Sequence, residues 1–533
     1  MPTDCYAAHS TSGERALAED ATAPVGNAEL LTGSDQGARI DRPVFAISLA
    51  CVVGASVPMI LYPEAAAGVV DAIYGWIAEE LGLFYQWATI FATGFLAWLA
   101  FSRHGAKVLG GVAKPEYGAV SWMGMLFCAG IGSGILYWSG VEWAAYVDQP
   151  PFGVAPESPE ALEWAATYGI FHWGISAWCL YCLPTVAIAW PYYRYRLPYL
   201  RLSGSLTGLF GRGFSETPWG RLVDLCFILA MVGGTGTSLG LATPMLGAVA
   251  ARLLGVEESF GLTLTIAGLC VLLFAGSVYM GLERGIRRLS NVNVALAGIF
   301  LGWVLITGPA IFALELGTSS IGLMLQEFVR MNTWTDPILE TEFIEDWTVF
   351  YWAWWIAYGP FMGLFVTKIS RGRTLRSVIL GMIGFGTLGC TLFYVIWGNS
   401  VMWMDMNEGL GFLELVREGR PATAIATAVG AVAGGPMPLA VFLLLGLIFV
   451  ATTYDSASYA IAASATSNLA PGTDPSRAHR VFWAFTLALL PVGLVVIDTM
   501  SAAKSATLVA SLPLLGVLAL MTASLLRSLR EEE

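Results

Sequence analysis

Long apolar runs recur along the sequence and limit the fold that this chain can adopt. A helix of about 20 apolar residues crosses the hydrocarbon core of a lipid bilayer. Twelve such runs, numbered here as spans 1 to 12, lie near residues 43–63, 82–102, 119–141, 167–191, 222–251, 259–281, 291–314, 347–367, 376–403, 436–463, 480–498 and 502–526. They predict an all-α polytopic membrane protein with twelve transmembrane helices.

The composition excludes most soluble classes of protein. Of 533 residues, 56% are hydrophobic and 12% are charged, whereas soluble proteins carry about 25% charged residues. Four histidines, no nucleotide-binding loop and no pair of acids near a histidine provide no catalytic arrangement, so an enzyme is not expected. The net charge of −12 is spread over the N-terminal segment and several loops, so it indicates no nucleic-acid partner.

Basic residues follow every second span and predict the orientation. By the positive-inside rule, the loops after spans 2, 4, 6 and 8 face the cytoplasm, and the intervening acidic loops face outward. The basic residues are Arg103, Lys107, Lys114, Arg194, Arg196, Arg201, Arg212, Arg284, Arg287, Arg288, Lys368, Arg371, Arg373 and Arg376. We therefore expect a multi-pass protein of the plasma (inner) membrane with both termini in the cytoplasm.

Two segments outside the spans also carry predictions. Residues 1–42 are polar and lack the basic start and apolar core of a signal peptide, so we expect a disordered cytoplasmic N-terminal tail. Residues 321–334 alternate apolar and polar side chains at helical spacing. This second segment is interpreted either as a helix on the membrane surface or as an ordinary loop.

Spans 4 and 8 carry aromatic side chains near their centres. At helical spacing, Trp173, Trp178 and Tyr181 of span 4 fall within an arc of about 140°. Span 8 has two adjacent stripes of large side chains: Tyr351, Trp355, Tyr358 and Met362, and then Trp354, Phe361 and Phe365. Packing or interfacial roles explain single tryptophans, but two central sets favour an aromatic cage.

A cage without an acid suits a particular kind of ligand. Quaternary ammonium groups are attracted to ring faces and donate no hydrogen bond. Spans 3, 4 and 8 hold no Asp, Glu, Lys or Arg in their central turns. A free cation such as choline gains from a buried carboxylate, whereas a zwitterion carries its own, so the pattern favours betaine-like substrates.

Spans 3 and 10 contain small and hydroxylated residues at membrane depth. Gly130, Gly132 and Gly134 either unwind span 3 beside a cavity or allow close helix packing, and both interpretations remain open. In span 10, Thr452, Thr453, Asp455 and Ser456 interrupt an apolar run. The hydroxyls either bind sodium or bond to the carbonyl four residues earlier, and a buried acid suggests a function.

The run WTVFYWAWW and the following ISRGRT (Trp347–Trp355 and Ile369–Thr374) resemble the signature of the betaine/choline/carnitine transporter family. The resemblance extends from about Pro43 to Leu525. It implies two inverted five-helix repeats (LeuT-like), formed by spans 3–7 and 8–12, and a homotrimer. On that layout, residues 43–102 are two peripheral transmembrane helices, 103–345 the first repeat with an external amphipathic helix, 346–526 the second repeat, and 527–533 a short cytoplasmic C-terminal tail.

The same resemblance implies functional positions. The substrate-binding set that it implies is Trp173, Trp178, Tyr181, Trp354, Trp355, Tyr358, Gly130, Gly132, Gly134 and Met362. Its sodium site is formed by backbone oxygens of Cys128, Ile131 and Phe449 with the hydroxyls of Thr452 and Thr453. No organic cofactor is expected, and Na⁺ is the expected coupling ion.

Individual residues separate the branches of the family. Choline-selective relatives tend to carry Asp where Gly134 stands. The segment VEWAAYVDQPPFG (Val141–Gly153), with Tyr358 and TDP (Thr335–Pro337), resembles the carnitine-exchanger branch, in which a methionine at the position of Met362 replaces an ion. Met362 and Met231 argue against full sodium coupling; Thr235, Phe361, Thr452 and Thr453 argue for at least one ion.

The resemblance therefore implies a secondary active transporter of zwitterionic quaternary ammonium or sulfonium compounds, such as glycine betaine, carnitine or dimethylsulfoniopropionate, with uptake coupled to Na⁺. The alternative is a Na⁺-independent exchanger of the carnitine/γ-butyrobetaine type. A receptor or channel with purely structural aromatic stripes belongs to a different functional class. The expected partners are the small onium substrate and the lipid bilayer.

Overall fold

The structure, a computed structural model, describes residues 38–280, 282–469, 473–491, 493 and 500–531. This part of the chain is dominated by helices. Those of the first half are α1 (Arg42–Leu61), α2 (Pro63–Phe101), α3 (Ala119–Ile131), α4 (Gly134–Asp148), α5 (Pro159–His172), α6 (Ile175–Arg194), α7 (Thr207–Phe210), α8 (Pro218–Leu254), α9 (Phe260–Met280) and α10 (Leu282–Thr307).

The second half continues the pattern. Its helices are α11 (Ala310–Gln326), α12 (Phe328–Thr333), α13 (Phe350–Ile369), α14 (Leu375–Leu392), α15 (Asn399–Glu408), α16 (Phe412–Arg417), α17 (Pro421–Ala431), α18 (Pro436–Ser464), α19 (Arg477–Leu487) and α20 (Met500–Arg530). Single π-helical turns, Ile344–Val349 and Phe393–Gly398, lead into α13 and α15. Strands β1 (Arg39–Ile40) and β2 (Thr466–Ser467) form one short antiparallel pair.

Within the described residues, nine helical stretches are long and apolar enough to cross a membrane. They correspond to spans 1, 2, 4, 5, 7, 8, 9, 10 and 12, so the protein is an all-α polytopic membrane protein. Span 3 is divided between α3 and α4, and the apolar part of span 6 is the shorter helix Phe260–Gly276. Span 11 is represented by α19, and part of its remainder lies outside the described residues.

Regular secondary structure extends into both predicted tails, at residues 39–42 and 527–530. The predicted N-terminal tail lies mostly outside the described residues, but β1 pairs with β2, and Asp41 donates its N–H to the Ala465 carbonyl. At the other end, α20 continues to Arg530, into the predicted C-terminal tail. The segment 321–334 is helical, since α11 and α12 cover most of it.

Several basic loops and both described chain ends meet at one end of the molecule. Leu109 and Gly372 join the loops after spans 2 and 8, since the Gly372 N–H donates to the Leu109 carbonyl at 2.8 Å. The Tyr195 hydroxyl, after span 4, donates to the Glu531 carboxylate at 2.7 Å. Near the end of α20, the Leu529 carbonyl accepts from Lys107 at 3.4 Å. The loops after spans 2, 4 and 8 and the end of α20 therefore lie close together.

Acidic loops form the opposite end. Arg417 donates to the Asp148 carboxylate at 3.0 Å and also contacts Glu157, which ties α16 to the loop between spans 3 and 4. These two acceptors raise the pKa of the Arg417 guanidinium above its ordinary value. The interaction joins the two predicted halves of the molecule on this side.

Spans 4 and 8 are the most enclosed of the nine, with 94% of each apolar window buried inside the protein, against 28% for span 1. Glycines bring α6 and α13 together. A Cβ at Gly359 would lie 3.0 Å from the Leu180 carbonyl oxygen, and one at Gly363 would lie 2.7 Å from Ile188. Close approach through small residues is a common way to pack membrane helices. It places both aromatic sets at the centre of the bundle.

Candidate functional site

The helix of span 3 is interrupted at Gly132, so unwinding is the interpretation that fits. Gly132 has φ 56° and ψ −157°, a conformation that side chains with a Cβ rarely adopt. A Cβ there would also lie 2.6 Å from the Thr453 hydroxyl of α18. Gly130 and Gly134 remain in α3 and α4. The break therefore exposes backbone beside α18, at a point where only glycine fits.

Span 4 is interrupted as well, which the helical spacing of its aromatic residues did not predict. Helix α5 ends at His172, and α6 begins at Ile175. Gly174 is extended, with φ −97° and ψ −143°, and a Cβ there would lie 2.5 Å from the Ile170 carbonyl oxygen. Trp173 consequently lies at the end of α5 rather than on the same helix as Trp178. The arc of about 140° assumed one helix and is wrong for Trp173.

A cavity of about 340 Å³, including the open space at its mouth, lies where α3, α6, α8, α13 and α18 meet. Its lining is mostly aromatic on one side and polar or glycine-rich on the other. The lining residues are Gly130, Ile131, Gly132, Trp173, Tyr181, Ser238, Trp354, Trp355, Tyr358 and Thr453.

The aromatic side of the cavity is built from rings that meet nearly at right angles. The ring of Trp173 lies 5.6 Å from that of Trp354 and 5.5 Å from that of Trp355, with interplanar angles of 89° and 81°. The Tyr181 ring lies 4.4 Å from the ring of Trp355. Cations bind over ring faces within about 6 Å of the centroid. Perpendicular indoles offer several faces to one cation.

Seven of the ten predicted substrate-binding residues line this cavity, and the other three pack behind them. Trp178 and Met362 lie against Gly130, where a Cβ would be 2.8 Å from the indole and 3.1 Å from the methyl carbon of the methionine. Gly134 faces two indoles, since a Cβ there would be 3.0 Å from Trp354 and 3.4 Å from Trp173. These three positions limit the size of the cavity rather than line it.

Ser238 lines the cavity and was missed by the sequence reasoning. It lies on α8, is 7% exposed, and shares a hydrogen bond of 3.0 Å with the Tyr358 hydroxyl. The run GGTGTS that contains it has no periodic pattern that separates one small polar residue from the next. With Tyr358 it gives the cavity a pair of hydroxyls that both donate and accept.

Glu142 is the second missed residue, and it overturns the expectation that no acid lies near the cage. Its carboxylate, on α4, is fully buried and accepts from the Trp173 indole N–H at 2.9 Å. It also accepts from the hydroxyls of Tyr394 at 2.7 Å, Tyr146 at 3.1 Å and Tyr351. Span 3 was ended at residue 141, but α4 continues to Asp148. The acid therefore lies inside the bundle and not at its edge.

Two residues of the predicted sodium site, Ile131 and Thr453, lie at the break in span 3. The buried Thr453 hydroxyl has no hydrogen-bond partner among the described residues and lies against Gly132. The Thr452 hydroxyl donates to the Ile448 and Phe449 carbonyls at 2.9 and 3.0 Å. Ile131 lines the cavity, and Cys128 lies on α3 one turn earlier. A free hydroxyl beside an unwound backbone suits a cation that prefers oxygen ligands.

Asp455 forms an ion pair instead of facing the cavity. Its carboxylate accepts from the Arg480 guanidinium of α19 at 3.1 Å, and both side chains are buried. Pairing two opposite charges lowers the free-energy cost of burying each of them at membrane depth. The pair links α18 to α19 and explains this acid without a substrate.

Comparison with known proteins agrees with this architecture. The family model described as BCCT, betaine/carnitine/choline family transporter, matches residues 43–533. The chain is 34% identical over 448 residues to the uncharacterized transporter YeaV of Escherichia coli (strain K12), which covers 83% of this chain and 92% of that protein. It is also 34% identical over 455 residues to the carnitine transporter of Acinetobacter baumannii, covering 84% of this chain and 81% of that protein.

The match covers both interrupted spans and all the residues that line the cavity. The named relatives are transporters, and the family model describes transporters. The chain therefore belongs to the betaine/carnitine/choline transporter family and is a membrane transporter rather than an enzyme.

Proposed function

We propose that the protein is a secondary active transporter that binds a zwitterionic quaternary ammonium or sulfonium compound in this cavity and moves it by alternating access. The observation that carries the proposal is the indole of Trp173, which lies nearly perpendicular to those of Trp354 and Trp355 in the lining of one cavity. A methylated onium group is attracted to such faces and requires no hydrogen-bond acceptor.

The polar side of the cavity supports a zwitterion rather than a simple cation. Ser238 and Tyr358 offer hydroxyls, and the break at Gly132 leaves backbone groups outside any helix. These groups suit a substrate carboxylate. Gly134, where choline-selective relatives tend to carry Asp, supports the same substrate class. Glycine betaine, carnitine and dimethylsulfoniopropionate are the candidates, and the relative named as a carnitine transporter makes carnitine the first to test.

Coupling to one sodium ion is the proposed energy source. The ligands would be backbone oxygens of Cys128, Ile131 and Phe449 together with the hydroxyls of Thr452 and Thr453. The supporting observation is the unpartnered, buried Thr453 hydroxyl beside the unwound backbone. A buried hydroxyl without a hydrogen-bond partner costs free energy, and a bound ligand that interacts with it removes that cost.

A specific observation favours the alternative, a Na⁺-independent exchanger of the carnitine/γ-butyrobetaine type. The methyl carbon of Met362 packs against Gly130, and Met231 is fully buried on α8. In the exchanger branch, a methionine at the position of Met362 stands in for the ion. Both versions use the same cavity for the onium head.

The proposal includes the finer architecture implied by the family. Twelve transmembrane helices would form two inverted five-helix repeats of the LeuT-like type, with both termini in the cytoplasm of the inner membrane and three copies per assembly. Supporting this orientation, basic loops and both described chain ends lie at one end of the molecule. No nucleic-acid partner is proposed.

Uptake into liposomes that contain the purified protein tests the function. Radiolabelled glycine betaine and L-carnitine are supplied outside, with or without an inward Na⁺ gradient and with or without substrate preloaded inside. Accumulation that requires Na⁺ supports the symporter, and uptake that requires only preloaded substrate supports the exchanger. No saturable uptake under any of the four conditions would reject both.

A further inference from the structure

The hydrogen bonds around Glu142 favour the ionised form of its carboxyl group. Its Oε1 atom accepts from Trp173, Tyr351 and Tyr394, and its Oε2 atom accepts from Tyr146. An ionised carboxylate is an acceptor only and fits four donors. The arrangement therefore stabilises a negative charge at membrane depth.

That charge has no ion-pair partner among the described residues. The four donors are neutral side chains, and the other titratable groups around it are His172, Cys390 and Lys504. His172 bonds to Tyr146 at 2.8 Å and to Thr348 at 2.9 Å. The Lys504 ammonium lies 4.0 Å from the Trp347 ring centroid and bonds to the Asp346 carbonyl, so it acts on Glu142 only through space. A buried charge without a partner is costly.

Trp173 connects this charge to the cavity. Its indole N–H donates to Glu142, while its ring lines the cavity and meets Trp354 and Trp355 at about 5.5 Å. A carboxylate hydrogen-bonded to the indole N–H polarises the ring and makes its face more negative. The carboxylate and a bound cation would thus lie on different sides of one indole, in a medium that screens little.

We infer that Glu142 supplies the buried negative charge that selects the onium head of the substrate, acting through Trp173 without touching the ligand. The inference rests on the proposed function, since it assigns a role within the same cavity. It makes Glu142 a specificity-determining, positioning residue. In the empty protein the charge is balanced only by neutral donors, and the onium head is the counter-charge that enters on binding.

Competition binding with a matched pair of ligands tests this role. Glycine betaine is compared with 3,3-dimethylbutyrate, which has a tert-butyl group of the same shape in place of the trimethylammonium. Both compete with radiolabelled glycine betaine on the purified protein and on the variants Glu142→Gln and Glu160→Gln. Glu142→Gln keeps an acceptor oxygen for Trp173 but removes the charge, and Glu160 is an exposed acid of α5 that serves as control.

In Glu142→Gln, we expect the preference for glycine betaine over 3,3-dimethylbutyrate to fall at least about tenfold, and in Glu160→Gln to stay unchanged. Equal weakening of both ligands would overturn the inference, because loss of a negative charge must weaken the onium ligand more than its uncharged analogue. Unchanged binding of both would overturn it as well. If the wild type binds neither ligand, the proposed function fails together with the inference.

Folding of Glu142→Gln is checked by size-exclusion chromatography. If that variant does not fold, the same ratio is compared between Glu142→Asp and Glu142→Asn, which match in size and differ in charge. The preference for the onium head is expected only in the aspartate variant, and equal preferences in the two would overturn the inference.

Discussion

At the scale of single residues, the aromatic members of the cavity were predictable, but Ser238 in its lining and Glu142 behind Trp173 were not. Tryptophans at the centre of a span are unusual enough to mark a site, and Trp173 and Trp355 do line the cavity. Ser238 is one small residue in a glycine- and threonine-rich run, and Glu142 follows a predicted span boundary by one residue. Their importance comes from contacts with distant residues, Tyr358 and Trp173, which no local pattern records.

Replacing either of two cavity tryptophans is expected to weaken substrate binding. Trp355→Ala and Trp173→Ala should each cost about 1–2 kcal/mol of binding free energy, because each removes a ring face from the onium head. The matched control is Trp87→Ala on α2, since Trp87 is 55% exposed and distant from the cavity lining. Titration calorimetry with glycine betaine measures all three. Equal losses in the control would indicate general damage to the fold.

Removing the Thr453 hydroxyl is expected to affect ion binding without affecting the stability of the fold. In Thr453→Val, Na⁺ is expected to lose its stimulation of uptake, while the unfolding temperature is unchanged because the hydroxyl has no partner to lose. The control, Thr522→Val, removes a hydroxyl that bonds to the Leu518 carbonyl on α20 and should keep the sodium response. A sodium response that survives in Thr453→Val would contradict the proposed ion site.

At the scale of helices, the positions of the spans were predictable but the two interruptions were only partly so. Glycine spacing suggested a break in span 3, and the structure places it at Gly132 alone. Helical spacing did not indicate the break at Gly174, where a Cβ would lie 2.5 Å from the Ile170 carbonyl oxygen. Helical periodicity assumes a continuous helix, so it fails where the functional break occurs.

The break at Gly132 gives a prediction at this scale. Gly132→Ala is expected to abolish uptake and to lower the free energy of unfolding by about 1–2 kcal/mol, because alanine at positive φ is strained and its Cβ meets Thr453. Gly124→Ala on α3 is the control, because its nearest neighbour would be Val294 at 3.9 Å. Uptake assays and thermal unfolding check both variants. Normal uptake by Gly132→Ala would show that the unwound backbone is not required.

At the scale of the whole molecule, hydropathy predicted the class of fold directly. It did not predict the contacts that hold the start of the described chain against the rest of the protein. Nine of the predicted spans correspond to helical stretches long and apolar enough to cross a membrane in the described part of the chain. The pairing of β1 with β2 and the buried Asp41 came from a segment that composition assigned to a disordered tail. A pair of two-residue strands is too short to be recognised from a pattern in the sequence.

The predicted orientation is tested by labelling single cysteines in a cysteine-free background. Glu160→Cys lies in the first turn of α5, beside the acidic loop between spans 3 and 4, and should react with a membrane-impermeant maleimide in intact cells. Gly213→Cys should react only after permeabilisation. Both residues are exposed, so access through the membrane decides the result. The reverse labelling pattern would contradict the positive-inside assignment.

The central claim, that the cavity holds a zwitterionic onium compound, is tested most directly by an electron cryo-microscopy structure with saturating L-carnitine. We expect density for the trimethylammonium group within about 6 Å of the ring centroids of Trp173, Trp354 and Trp355, and the carboxylate beside Ser238 and Tyr358. An empty cavity at saturating ligand, or a ligand bound elsewhere, would contradict it.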